Sequence, residues 1–195
     1  MIDTLLRPHF LPLVDNMAAK VAQSGFSANK LTLIAFAFGI AGCFAVGMQI
    51  YPLGLLLLLL NRFLDALAGS IARQSGVTDL GTILDLLCDY LVFAGFAFLF
   101  SLSAMETMMA STFLIFSFLA IGMAYFSHAW ILARRNIAEM PRGGIVENGE
   151  MIAFIALSCA LPAYYAAFAA VFALLCWVTA ILRFRAALKT SKETG

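Results

Sequence analysis

Charge is scarce in this sequence: 12 Lys and Arg and 11 Asp and Glu are spread over 195 residues, of which 63% are hydrophobic. A soluble domain of this length needs far more polar surface to cover its core, so the balance points to a single membrane-embedded domain. The net charge is only +1, which offers no bulk basicity for nucleic acid. Cysteine is limited to Cys43, Cys88, Cys159 and Cys176, scattered through apolar stretches. They form no CxxC pair, which argues for buried thiols and against a disulfide framework or a zinc site. Also missing is the basic, apolar and small-residue order of a removable signal peptide, since the chain opens Met-Ile-Asp-Thr-Leu-Leu-Arg-Pro.

What is abundant is apolar sequence of spanning length. A helix crosses a bilayer core of about 30 Å with about 20 residues. Residues 1–25 fall short of that. Leu6, Phe10, Leu13, Val14, Met17 and Val21 recur there at helical spacing, with Arg7, Asp15, Asn16 and Lys20 between them. This is the pattern of an amphipathic helix on the membrane surface, ended by Gly25, with Pro8 and Pro12 starting its regular part near residue 11. Ser27 then caps a first spanning helix to Met48, and Pro52 opens a second that runs to Arg73. Gly76, Thr78 and Asp79 make a tight turn with Asp79 as the N-cap of a third helix, which reaches Phe100. A fourth runs from Glu106 to Arg135.

Residues 151–182 are apolar apart from Ser158 and Thr179. One straight helix of that length measures roughly 48 Å, beyond any bilayer core, so the run divides at Pro162 into helices five and six. The fold expected is therefore all-α and integral to the membrane: a surface helix (1–25), a six-helix transmembrane domain (26–186) and a polar tail (187–195). The connections near 49–51, 101–107 and 161–164 carry no Lys or Arg. Six spans with both termini cytosolic put Arg7, Lys20, Lys30, Arg73, Arg134, Arg135, Arg142, Arg183, Arg185, Lys189 and Lys192 on one side, whereas five would misplace the tail cluster.

The chemistry lies between Asn61 and Asp89. Asp65 stands roughly 12 Å before Arg73 along the second helix, while Asp85 and Asp89 share one face of the third, a turn apart. A charge within a membrane helix costs on the order of 2.5–3.5 kcal/mol on insertion scales, so these carboxylates, with Arg62 and Arg73 beside them, must face one another, water or a cation. The tight turn makes the two helices antiparallel neighbours. Clustered carboxylates favour a divalent cation with oxygen ligands, Mg²⁺ or Mn²⁺ among them. Gly69 and Gly81 clear space for a ligand against the backbone, and Arg73 suits phosphate oxygens. Taken singly, the small residues are ordinary helix packing, the Asp pair fits an ion or proton relay, and Arg73 fits a structural ion pair. Their combined spacing points to a diphosphate site.

That spacing resembles the signature of the CDP-alcohol phosphotransferases, D-x2-D-G-x2-A-R followed after eight residues by G-x3-D-x3-D. Asp65, Gly69, Ala72, Arg73, Gly81, Asp85 and Asp89 match seven of its eight positions. The second signature Asp is Ala68 here, and seven residues separate Arg73 from Gly81. The resemblance also implies the same surface helix and six spans, a homodimer, and a bacterial inner-membrane protein with a cytosolic site. Its implied reaction moves a phosphatidyl-type group from a CDP-alcohol such as CDP-diacylglycerol to a small alcohol, releasing CMP into phospholipid synthesis.

In that reading Asp65, Asp85 and Asp89 hold Mg²⁺ or Mn²⁺, and Asp89 is the general base. Asp65, Gly69, Ala72, Arg73 and Gly81 bind the CDP moiety. Ala68 removes one anionic ligand, for which Asn61, a turn before Asp65, or Asp79 is a substitute. Arg134, Arg135, Arg142, Glu147 and Glu150 are candidates for the acceptor pocket. The arginines fit a phosphorylated acceptor or anionic lipid headgroups, and fit simple positive-inside placement at least as well; the glutamates also fit the start of helix five. His128 reads as a packed polar residue. Two other readings fit the same residues: a catalytically weak CDP-lipid-binding protein of this family, and an ion-coupled transporter.

Overall fold

The computed structural model describes residues 2–102, 104–134 and 145–192, whose regular structure is entirely helical. The helices are α1 (Ile2–Gln23), α2 (Ala28–Gly47), α3 (Tyr51–Ser75), α4 (Asp79–Ser101), α5 (Met105–Arg134), α6 (Asn148–Ala160) and α7 (Tyr165–Lys192), with a 3-10 turn at Pro162–Tyr164 before α7. Five of the described helical segments, namely α2 to α5 and the run containing α7, are long and apolar enough to cross a membrane. At 13 residues α6 is shorter, about 20 Å.

Local chemistry explains most boundaries. Ser27 has extended backbone and accepts from the Lys30 amide at 3.4 Å, capping α2. Pro52 sits in the first turn of α3, where its missing N–H costs nothing. Thr78, not Asp79, caps α4: its backbone is extended and its Oγ1 accepts from the Gly81 amide at 3.1 Å, whereas Asp79 is already helical. Pro162 breaks the last apolar run where expected. Two expectations need correcting. α1 begins at Ile2 and carries Pro8 and Pro12 within it, the two missing donors lying four residues apart and so on one face. α7 continues to Lys192, so most of the expected tail is helix.

α2 packs against both α3 and α4, α5 pairs with α7, and α6 lies against α3 and α7. Small residues bring α2 and α3 close. A Cβ on Gly42 would lie 3.2 Å from the Gly54 carbonyl oxygen, and one on Gly54 would lie 2.5 Å from Val46 Cγ2. Such contact is how helices gain dispersion energy where lipid removes the hydrophobic drive. Aromatic rings fill the half of the bundle away from the charged residues. Phe100 stacks on Tyr165 at 3.7 Å between centroids, Phe154 stacks on Phe172 at 4.5 Å, and Phe96 meets Phe100 and Phe154 edge-on. The Tyr165 hydroxyl pairs with Ser111 Oγ at 2.9 Å, leaving no loose polar end. Leu56, Phe98, Phe116 and Leu174 are more than half exposed on outer faces, an apolar exterior suited to lipid.

Candidate active site

The end of α3, the start of α4 and the start of α2 surround a cavity of about 440 Å³. Ala68, Gly69, Ala72, Arg73, Gly81 and Asp85 all line it, together with Asn29 and Thr78. Five of the seven matching motif residues thus meet at one hollow, while Asp65 stands outside its lining and Asp89 lines a second cavity. A Cβ at Gly81 would lie 2.9 Å from Thr78 Oγ1 and 3.0 Å from Asn29 Oδ1, so only glycine fits against that polar wall. At Gly69 the nearest atom to such a Cβ is Arg73 Nη1 at 3.5 Å, which leaves the guanidinium uncovered. Arg73 is half exposed and lies 3.5 Å from Asp15 on α1. Ser70 Oγ and Gln74 also donate to Asp15, pinning α1 beside the cavity mouth.

Behind this hollow lies the acidic row. Asp65 and Asp85 face each other closely enough to interact directly. Asp89 is turned to Arg62, whose Nη2 donates to Asp89 Oδ1 at 2.6 Å, while Nη1 lies 3.8 Å from Asp65 Oδ2. Arg62 is buried, with its guanidinium 4.8 Å from the centre of the Phe93 ring. Its Nε donates to Asn61 Oδ1 at 2.7 Å, and Asn61 Nδ2 donates to the Ala35 carbonyl at 2.8 Å. Asn61 is therefore no substitute ligand for the missing carboxylate, because its oxygen already serves Arg62. Asp79, exposed at the first position of α4, does not line the cavity either. Breaking a buried ion pair such as Arg62–Asp89 from one side costs on the order of 3–5 kcal/mol.

A second cavity, of about 300 Å³, opens on the other side of Asp89. Glu147, Tyr90, Tyr125 and Arg183 line it with Asp89. Arg183 lies over Tyr125 at 5.6 Å, and its buried Nε has no hydrogen-bond partner among the described residues. Glu147 reaches this cavity because its loop is tied to α7: Thr179 Oγ1 accepts from the Ile145 and Val146 amides, both at 3.1 Å. Glu150 instead accepts from the Glu147 amide at 3.2 Å and caps α6. Arg134 is exposed over the Trp130 ring at 4.8 Å, away from the cavity lining, and Arg135 and Arg142 lie outside the described residues. His128 is buried, as a packed polar residue would be.

Among the described residues no group of three or more His, Cys, Asp or Glu is arranged to hold one metal ion. The carboxylates of Asp65 and Asp85 are the pair whose oxygen chemistry fits a divalent cation, its other ligands coming from substrate or water. Sequence reasoning assigned Arg62 no role beyond neighbouring charge, and counted Arg183 with the tail. Both carried a signal. Arg62 precedes Asp65 by three residues inside an apolar helix, and Arg183 follows Thr179, a rare polar residue in its run, by one turn.

The family model for CDP-alcohol phosphatidyltransferase matches residues 26–185. The Escherichia coli inner membrane protein YnjF is 33% identical over 192 residues, covering 94% of this chain and 93% of that one. Archaetidylinositol phosphate synthase of Pyrococcus horikoshii is 29% identical, covering 91% and 92%. The fold is that of Mycobacterium tuberculosis phosphatidylinositol phosphate synthase (PgsA1) crystallised with CDP-DAG, at a TM-score of 0.69 and 17% identity over 94% of this chain and 98% of that one. The same enzyme in complex with manganese and citrate aligns at a TM-score of 0.61 and 19% identity, over 91% of this chain and 88% of that one. Most of the motif gathered at one hollow and the match over most of the chain lead to one conclusion: this chain belongs to the CDP-alcohol phosphatidyltransferase family and is a transferase of phospholipid synthesis.

Proposed function

We propose that this enzyme transfers the phosphatidyl group of CDP-diacylglycerol to a small phosphorylated alcohol at the cytosolic face of a bacterial inner membrane. The observation that carries the reading is the division of labour along α4: Asp85 lines one cavity and Asp89, a turn later, lines the other. Arg73, Gly69, Ala72 and Gly81 bind the CDP diphosphate in the larger hollow. Arg183 binds the acceptor's phosphate in the smaller one, where its unpaired Nε is a donor aimed at nothing else among the described residues. Glu147 accepts from acceptor hydroxyls. Two similar proteins, archaetidylinositol phosphate synthase and phosphatidylinositol phosphate synthase, support a phosphorylated acceptor.

In the reaction an acceptor hydroxyl oxygen attacks the phosphorus that bears diacylglycerol. The bond from that phosphorus to the bridging oxygen breaks, and CMP leaves with the electron pair. Asp89, held by Arg62 through Oδ1, receives the hydroxyl proton on its other oxygen. A divalent ion on Asp65 and Asp85 would neutralise the diphosphate and the charge growing on CMP. Support for the ion comes from the oxygen donor pair itself and from the manganese in the mycobacterial neighbour.

Six spans carry this site in our reading, with α6 as the fifth. Met151 lies in the Asp89 cavity while Phe154 meets Phe96 edge-on and stacks on Phe172, so α6 runs along the bundle against α3 and α7. α1 rests on the membrane surface, with Leu13 and Met17 exposed toward lipid. The YnjF name and the one-sided arginines support the inner membrane and a cytosolic site. The test is CMP release by the purified protein from CDP-diacylglycerol with Mg²⁺ or Mn²⁺, offered polyols with and without a phosphate. Phosphorylated acceptors should be preferred at least tenfold. Equal rates would remove the acceptor assignment, and no CMP with any alcohol would remove the whole reading.

A further inference from the structure

Arg62 is the only Lys, Arg, Asp or Glu side chain that is buried among the described residues, and it sits within the acidic row. Its guanidinium cannot shed its proton there, so it is a permanent single charge facing three carboxylates. It is also fixed in place. Asn61 holds Nε at 2.7 Å, Phe93 stacks beneath the plane at 4.8 Å, and Asp89 takes Nη2 at 2.6 Å. Asp89 is thereby tied to Arg62 on α3, and among the described residues it does not join Asp65 and Asp85 in a group of three arranged around one ion. Before substrate arrives, three ionised carboxylates and one guanidinium sum to two negative charges, the charge of one divalent ion.

We propose that Arg62 is a built-in cation of the acidic row, keeping Asp89 out of the metal's ligand set so that the site takes a single divalent ion on Asp65 and Asp85. Asp89 is then reserved for the acceptor hydroxyl in the neighbouring cavity. The proposal rests on the reading of Asp65 and Asp85 as metal ligands. Arg62 acts through Asp89 and is a positioning residue.

Manganese itself is the probe, because its free ion gives an electron paramagnetic resonance signal that is lost on binding. The full chain in detergent, with and without CDP, should bind one Mn²⁺. Asp65→Asn and Asp85→Asn should each weaken binding at least tenfold, while Asp89→Asn should change it less than threefold. Arg62→Met, which keeps bulk and removes charge, should free Asp89 and add a second Mn²⁺ or at least a tenfold gain in affinity. Adding Asp89→Asn to that variant should erase the gain. Should Arg62→Met fail to fold, the three Asp variants still decide. Loss of Mn²⁺ in Asp89→Asn equal to that in Asp65→Asn would overturn the proposal alone. A wild-type chain that binds no Mn²⁺ would overturn the metal site and the proposal together.

Discussion

Asn61 reaches across the helix interface to donate to the Ala35 carbonyl at 2.8 Å, tying α3 to α2 one residue before Arg62. The bond exists because Gly39 leaves room: a Cβ there would lie 2.9 Å from Asn61 Nδ2 and 2.6 Å from Val92 Cγ2. Gly39→Ala should therefore displace Asn61 and loosen Arg62, at about 1–3 kcal/mol for overpacking. A lowered melting temperature in detergent, accompanied by loss of CMP release, is the expected result. A variant that melts and turns over like the parent would show that Asn61 does not hold Arg62 in place.

Removing Arg183 tests the second cavity. A hydrogen bond to a charged group is worth about 1.5–3 kcal/mol, or roughly 10- to 100-fold in affinity. Arg183→Ala should raise the acceptor KM by that factor and leave the CDP-diacylglycerol KM unchanged. Lysine at the same position keeps the charge but loses the planar fork, so it should recover only part of the loss. A rise in both KM values would point to a damaged fold.

Thr179 acts at one remove from the same cavity. Its hydroxyl accepts two loop amides at 3.1 Å, and Val keeps its shape without the acceptor. Two neutral bonds together contribute about 2 kcal/mol. Thr179→Val should free the loop that presents Glu147 and raise the acceptor KM about tenfold, with the donor KM unmoved. Steady-state kinetics against each substrate separates the two.

Ala68 is 1% exposed and lines the larger cavity, where the family signature has a carboxylate. Ala68→Asp should raise Mn²⁺ affinity at least tenfold and speed turnover, which would mark the native enzyme as a slow member of its family. Unchanged affinity in a folded variant would mean that the position needs no anion.

Much of the site was legible because it is written on two adjacent helices. Helical spacing alone puts Asp85 and Asp89 on one face, and the short turn at 76–78 brings α3 to α4. The N-cap was misread by one residue because Thr78 and Asp79 are both good caps, and only backbone conformation chooses between them. Which oxygen each carboxylate serves was not legible. Asn61 looked like a spare ligand because its partners, Ala35 and Arg62, depend on how α2 lies against α3. Arg183 was hidden by distance: nearly a hundred residues of chain separate it from Asp89, and no local pattern announces that α7 returns beside α4. The first helix was half legible, since its helical spacing showed in sequence while its prolines gave the wrong starting point.

The ring stack of Phe96, Phe100, Phe154 and Tyr165 has a consequence for traffic through the membrane. Past Asp89, α4 turns Val92, Phe93, Phe96 and Phe100 inward, and no charged side chain is buried there among the described residues. On the proposed reaction, nucleotide and headgroup would come and go at the charged end, and the rings beyond it would keep the bilayer electrically sealed while a water-soluble leaving group is held among its helices.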